Sequence, residues 1–275
     1  GVDIKKINNQ MEDITMDTRL EHDSIGTMEI PAEAYYGVQS LRAKINFPIT
    51  GRKLHPSFIR NMAKVKKAAA ITNRDSLKLD AVKADAIITA CNEIIDGKLL
   101  EEFIVDGIQG GAGTSANMNA NEVIANRAIE ILGGSKGDYT LIHPNDHVNM
   151  AQSTNDVIPT AGKLTVIELL GPLKVQLKRL DTALLDKAVQ FNHILKMGRT
   201  QLEDAVPMRL GQSFHAYASM IERDFIRIGE IEKEMYQVNL GGTAIGSAIN
   251  VSSEYLHRVV PNLNKITGFP VYQAE

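Results

Sequence analysis

The chain has 275 residues, a formal net charge of −3, 44% hydrophobic residues, one cysteine and no tryptophan. That balance excludes both the basic surface of a nucleic-acid binder and the charge block of a disordered tail, and no apolar run approaches the roughly 20 residues of a membrane span. With aromatics at 5%, a core of Leu, Ile, Val, Ala and Met favours packed helices over a β-sandwich.

In chain order, residues 1–16 read as a loose arm, without the apolar centre of a secretion signal. Residues 19–49 read as irregular, punctuated by Gly26, Pro31, Gly37 and Pro48. From 56 to 97 the pattern is helical: Ser57 is the expected cap of one helix, Leu79-Asp80 opens a second, and Gly97 closes it. Cys91 lies in an apolar stretch of that second helix. A lone cysteine forms no internal disulfide, so it reads as a small buried hydrophobe in a reducing, cytoplasmic compartment. Residues 107–113 are a glycine-rich loop, followed by a helix over 116–132 that stops at Gly133-Gly134 and an irregular stretch over 137–149. Leu173, Leu177, Leu180 and Leu184 then trace one helical stripe; Tyr217, Ile221, Phe225, Ile228, Ile231, Met235 and Val238 trace another. Both stripes read as core. Gly198 to Gly211 reads as a short polar connection, which predicts antiparallel helices.

The expected class is mainly α. A mixed and helical N-terminal domain over 1–149 is followed, over 150–275, by the opening of a long antiparallel helical bundle. Two long helices cannot cover both stripes without further partners, so the bundle is expected to be incomplete.

Common catalytic signatures are missing. There is no G-x-S-x-G elbow, no H-E-x-x-H, no paired cysteine and no Walker loop. His143 and His147 have the four-residue spacing of a metal pair, but Pro144 between them argues against a regular helix, and no metal ligand is assigned. Gly111-Ala-Gly-Thr-Ser-Ala116 fits a dinucleotide pattern without the alternating strands such a site needs. More informative are three small polar segments. Thr114-Ser115 sits where a loop enters a helix, either as an anion site or as a simple cap. Ser153-Thr154-Asn155 precedes the long helical pattern, and Thr200-Gln201 follows Gly198-Arg199. Each also suits ordinary turn chemistry. Brought together, they would form a pocket of neutral donors able to hold carboxylates and stabilise an oxyanion without a metal.

These segments, taken with their flanks, resemble the aspartase/fumarase family. The resemblance rests on Asp23-Ser-Ile-Gly26, Ile30-Pro-Ala-Glu-Ala-Tyr-Tyr-Gly-Val38, Leu41-Arg-Ala43, Gly113-Thr-Ser-Ala-Asn-Met-Asn-Ala-Asn-Glu-Val-Ile124, His143-Pro-Asn-Asp-His-Val-Asn149, Gln152-Ser-Thr-Asn-Asp156, Gly198-Arg-Thr-Gln-Leu-Glu-Asp-Ala-Val-Pro207 and Gly241-Gly-Thr-Ala-Ile-Gly246. It covers residues 19–275 in family order. Within the family the chain looks closest to aspartate ammonia-lyases. Class II fumarases typically carry Lys where it has Met150, His where it has Gln201 and Trp beside the first Tyr. Thr140 stands where fumarases tend to have a basic residue near an accessory dicarboxylate site.

The resemblance implies an L-aspartase-like fold, reversible removal of ammonia from L-aspartate to give fumarate through an enediolate, and no required cofactor, with divalent-cation activation open. It implies that Thr114, Ser153 and Thr154 grip the carboxylate beside the acidic carbon, and that Asn155, Thr200 and Gln201 line the amine side or orient the substrate. It also implies a homotetramer in the full-length protein, with no nucleic-acid or membrane partner. The family's base is a Ser in a Gly-Ser-Ser loop, followed by a Met-Pro-x-Lys-x-Asn segment that clamps the other carboxylate. Neither sequence occurs here, so the base is expected beyond the C-terminus and the chain is expected to be inactive alone. A class II fumarase is the alternative within the family. A non-catalytic helical scaffold is the alternative outside it, and would be marked by loss of the polar loops, which are intact.

Overall fold

The computed structural model describes residues 17–275; the arm expected over residues 1–16 lies outside them. The chain forms two compact units. One takes the chain up to Ala161 and returns for Asn239–Phe269; the other comprises Gly162–Val238 with Pro270–Glu275.

The first unit opens on an antiparallel hairpin, β1 (Thr18–His22) and β2 (Thr27–Pro31), where an irregular segment was expected. The hairpin was hidden because its five-residue strands alternate weakly and their anchor is polar. Asp23 accepts from the backbone of Ile25 and Gly26 to close the turn, and the Arg19 guanidinium donates to the carbonyls of Pro31, Ala32, Ala34 and Tyr36. Ile30, Ala34 and Val38 pack beneath it. Helix α1 (Val38–Asn46) follows. Gly37 before it admits no side chain, since a Cβ would stand 2.6 Å from both Glu21 Oε2 and the Tyr139 hydroxyl.

Helix α2 (Pro56–Asp75) starts two residues earlier than a Ser57 cap would place it. His55, not Ser57, is its cap: the imidazole Nδ1 accepts from Ser57 N at 3.2 Å, and Ser57 is buried inside the first turn. Proline at the first helical position fits, because its missing N–H has no intrahelical partner to lose. Helix α3 (Ala81–Ile95) is capped by Asp80, which accepts from Val82 and Lys83, and Gly97 follows its end with φ +93, as expected. Cys91 is fully buried in it. Burial pushes its thiol up to about 12, which makes it an inert core residue.

Helix α4 (Thr114–Ile131) crosses the middle of this unit. Its buried polar side chains repair backbone that forms no regular ladder. Asn119 bonds Glu102 O and Ile104 N; Asn126 bonds Tyr35 O and Gly137 N. Glu122 accepts from the N–H groups of Gly37, Gln39 and Ser40 and from the Ser40 hydroxyl, so it neutralises the first turn of α1. A short helical turn, Pro144–Val148, and helix α5 (Thr154–Gln190) come next.

In the second unit, α5 is followed by a hairpin, β3 (Leu195–Thr200) and β4 (Glu203–Arg209), and then α6 (Leu210–Met235). The polar connection expected between the helices is therefore a two-stranded ribbon. The helices are antiparallel: Lys174 pairs with Glu232, and Lys163 reaches Gln237 O at the far end. Val238, expected to close the second stripe on a helix, lies instead in β5 (Gln237–Val238). The stripes are not core within this chain: Leu173, Leu180, Tyr217 and Ile231 are each more than two-fifths exposed. Returning to the first unit, α7 (Ser253–Thr267) is capped by Ser252 and fixed to α2 by Asn262 Nδ2 donating to Thr72 Oγ1 at 2.9 Å. The chain ends on β6 (Tyr272–Gln273), parallel to β5. No helix among the described residues is long and apolar enough to cross a membrane.

Candidate functional site

The first polar segment enters α4 through Gly113, whose φ of +94 places it in the left-handed region. A side chain there would meet Ile158 Cγ1 at 2.9 Å. Only glycine lets the start of α4 pack against the first turns of α5. Neither Thr114 nor Ser115 caps the helix by its side chain. That task falls to Gln109, whose Oε1 accepts from Ala116 N at 2.6 Å. Thr114 is left exposed, with its hydroxyl unspent on the backbone.

The second segment is built by Asp156, which is fully buried. Its Oδ1 accepts from Ser153 N at 2.9 Å, and its Oδ2 accepts from Gly241 N and Thr243 N at 3.0 and 3.1 Å. One carboxylate thus ties Ser153 to the Gly241–Gly246 loop. Burial raises its pKa, against these three N–H groups and a nearby lysine. Asn155 reinforces the same junction. Its Nδ2 donates to Ala244 O at 2.6 Å, and its carbonyl accepts from Asn239 Nδ2 at 2.9 Å. Asn117 links the two segments: its Nδ2 donates to Thr154 Oγ1 and to Asn149 Oδ1, each at 3.3 Å.

Thr114, Ser153, Thr154 and Asn155 are therefore gathered at the adjoining starts of α4 and α5, where free N–H groups favour an anion. Thr200 and Gln201 lie in the second unit, at the tip of the β3–β4 hairpin, both exposed. Gln201 and Leu202 have φ of +46 and +67. Two-residue hairpin loops of this shape favour Asn-Gly or Gly, so Gln-Leu holds the tip at a conformational cost. Ala151, between the His143–Asn149 and Gln152–Asp156 segments, and Thr243, in the Gly241–Gly246 loop, also have positive φ, at 61 and 57.

Sequence reasoning passed over Asn117, Asp156 and the lysine beneath them, Lys66. A signal existed for Lys66: it falls four residues after Met62 and three before Ala69, on the buried stripe of α2. A second feature is a cavity of about 660 Å³ in the first unit, with Gln39, Arg42, Ser115, His143 and Asn145 among the residues on its wall. Arg42 is held in it by a two-point pair with Asp23, at 3.1 and 3.0 Å. Burial opposes ionisation of Asp23, but Arg42 and the Ile25 and Gly26 amides outweigh it and hold the carboxyl below the usual range. The two histidines spaced by four serve the backbone: His143 Nδ1 accepts from Asn145 N and Asp146 N, and His147 Nδ1 accepts from His143 N.

A family model described as a lyase matches residues 26–275. The chain belongs to this family, the aspartase/fumarase lyases. It is 50% identical over 257 residues to the aspartate ammonia-lyase of Bacillus subtilis, covering 94% of this chain and 54% of that protein. The aspartate ammonia-lyase of Escherichia coli K12 is 47% identical over 260 residues, with 94% and 54% covered. Among solved structures, a cobalt-bound fumarate lyase:delta crystallin from Brucella melitensis superposes with a TM-score of 0.87 at 50% identity, covering 94% of this chain and 57% of that one. A class II fumarase from Schistosoma mansoni gives 0.83 at 34% identity, covering 92% and 53%. The chain thus spans about half the length of the curated relatives it matches.

Proposed function

We propose that this chain contributes the first substrate-binding face of an ammonia-lyase that converts L-aspartate reversibly to fumarate and ammonia. The observation that supports the reading is the Asn117 bridge, by which α4 donates to Thr154 at the start of α5. Removing a proton beside a carboxylate makes that carboxylate a dianionic enediolate. Neutral donors aimed at it from helix starts stabilise the charge where it develops, at about 3 kcal/mol of barrier per donor. Thr114, Ser153 and Thr154 take that task. Asn155 is assigned to the amine side, and the family resemblance assigns Thr200 and Gln201 to substrate orientation.

Identity near one half with aspartate ammonia-lyases, against 34% with a class II fumarase, supports the amine over the hydroxyl substrate. The exposed stripes of α5 and α6 support assembly with further copies, proposed as a homotetramer in the full-length protein. No cofactor is assigned a step; activation by a divalent cation is left to the same assay. These 275 residues contain neither Gly-Ser-Ser nor Met-Pro, so turnover is not expected from them alone.

The test is ultraviolet detection of fumarate, with L-aspartate and L-malate in parallel. It is run on the chain alone and on the chain mixed with the C-terminal half of the Bacillus subtilis relative. The expected result is silence alone, then fumarate from aspartate but not from malate. Turnover of malate would replace the reading with a fumarase.

A further inference from the structure

Lys66 is fully buried, and no other lysine among the described residues is. Desolvating an ammonium is costly, and Met or Leu would fill the same space on α2 without that cost. Its hydrogen-bond partners are not carboxylates. The Nζ donates to two side-chain amide oxygens, Asn149 Oδ1 at 3.2 Å and Gln152 Oε1 at 3.3 Å. A cation facing an amide fixes which end is oxygen, and so fixes where the amide NH2 points. Here Asn149 Nδ2 donates to Gln152 O at 3.3 Å, and Gln152 Nε2 donates to Val148 O and Met150 O at 2.9 and 3.1 Å. Those bonds close the loop that holds Ala151 at φ +61. Asn149 Oδ1, turned toward Lys66, is also the acceptor for Asn117 Nδ2, which donates on to Thr154 Oγ1. A threonine hydroxyl that accepts from inside the protein has its own hydrogen free to donate outward.

We propose that Lys66 is a positioning residue: through Asn149, Gln152 and Asn117 it sets the hydrogen-bond polarity of Thr154, so that the hydroxyl is presented to a carboxylate as a donor. This rests on the assignment of Thr154 to the carboxylate site and adds what orients it. The groups facing the ammonium are Cys91 on α3 and Asp156 at the start of α5; Lys67 acts on Cys91, and the buried Tyr255 hydroxyl of α7 lies near Asp156. Burial pulls the Lys66 amine down to about 7, against the opposing pull of Cys91 and Asp156. The ammonium therefore holds the network below neutrality and weakens its hold above it.

The experiment titrates the folded chain with succinate, a dicarboxylate that cannot react, while recording the side-chain amide and Thr154 signals by nuclear magnetic resonance. In the wild type, affinity should fall several-fold from about pH 6 to about pH 8.5, with the Asn149 and Gln152 amides shifting on the same midpoint. Lys66→Met should bind at least about tenfold more weakly, the loss of one charge-assisted bond, with a flat pH profile. Wild-type affinity and wild-type pH dependence in Lys66→Met would overturn the proposal. If Lys66→Met does not fold, or succinate fails to bind even the wild type, the wild-type amide titration decides. Followed up to the pH at which the Lys66 amine itself titrates, a midpoint shared by Lys66, Asn149, Gln152 and Thr154 upholds the role of Lys66, and titration of Lys66 with no movement at the other three overturns it. Absence of succinate binding by the wild type counts against the carboxylate site itself, so the two failures are distinguishable.

Discussion

Helices α4 and α6 invert each other. Helix α4 carries Asn117, Asn119, Asn121, Glu122 and Asn126, shows no clean apolar stripe, and is buried along almost its whole length. Helix α6 repeats apolar residues at every third or fourth position, yet only Gly211 and Ala218 are buried in it. Periodicity identifies a face that favours cover. It does not say that this chain provides the cover. Conversely, a helix can be wholly interior without an apolar stripe when its polar groups satisfy neighbouring backbone that has no ladder of its own. The two helices therefore respond to mutation in opposite ways.

The largest effect is expected at Glu122. Its carboxylate accepts four hydrogen bonds around the start of α1 and is 2% exposed. Glu122→Ala leaves those donors buried and unpaired, and should destabilise the first unit by about 3–5 kcal/mol. Urea unfolding followed by circular dichroism measures it. A loss below about 1 kcal/mol would mean that the polar interior of α4 is tolerated rather than required.

Next comes Thr154→Val, which keeps the shape but removes the hydroxyl that accepts from Asn117. Succinate affinity, measured by calorimetry, should fall roughly 10- to 100-fold, about 1.4–2.8 kcal/mol, with little change in unfolding. Unchanged affinity would remove Thr154 from the carboxylate site.

Asp106 gives a smaller, pH-dependent effect in the same unit. It accepts from Thr50 N, Gly51 N, Ile108 N and the Thr50 hydroxyl. The Ile108 amide contributes most; these bonds together outweigh desolvation and hold its pKa at about 2, below the ordinary 3.8. A carboxyl with a depressed folded pKa stabilises above its unfolded value, and that stabilisation is lost as pH falls through the folded one. The amides of Gly51 and Ile108 should therefore keep their hydrogen-exchange protection at pH 5 and lose it from about pH 4 toward about pH 2. Asp106→Asn should lose protection already at pH 5 and respond little to acid.

Much of the architecture was legible because it rests on local chemistry. Asp80 and Gly97 bracket α3 as expected, and the spacing of Leu173 to Leu184 marks a true helix. The β1–β2 hairpin was not legible, because its anchor is Arg19 collecting four carbonyls 12 to 17 residues away. Of the candidate site, Thr114, Ser153, Thr154 and Asn155 were legible as small polar residues at helix starts. Asn117, Asp156 and Lys66 were missed because their roles depend on partners distant in sequence, 85 residues away for Asp156 and Gly241. A buried polar residue looks in sequence like an exposed one until its partner is known.

The smallest effect should come from the stripe of α6. Ile231 is 54% exposed, so Ile231→Ser removes little buried area and should change the unfolding free energy by no more than about 0.5 kcal/mol. A buried isoleucine of α4 behaves differently: Ile124→Ala, at a fully buried position, should cost about 2–5 kcal/mol. Measuring the pair at two protein concentrations separates the causes. If Ile231→Ser costs as much as Ile124→Ala, and the cost grows with wild-type concentration, the stripe is covered by another copy and the stability read for the wild type includes association. If it costs as much at every concentration, cover comes from within the chain and the α6 stripe is not a free face. Only a small, concentration-independent effect leaves the inversion between the two helices as a property of the isolated chain.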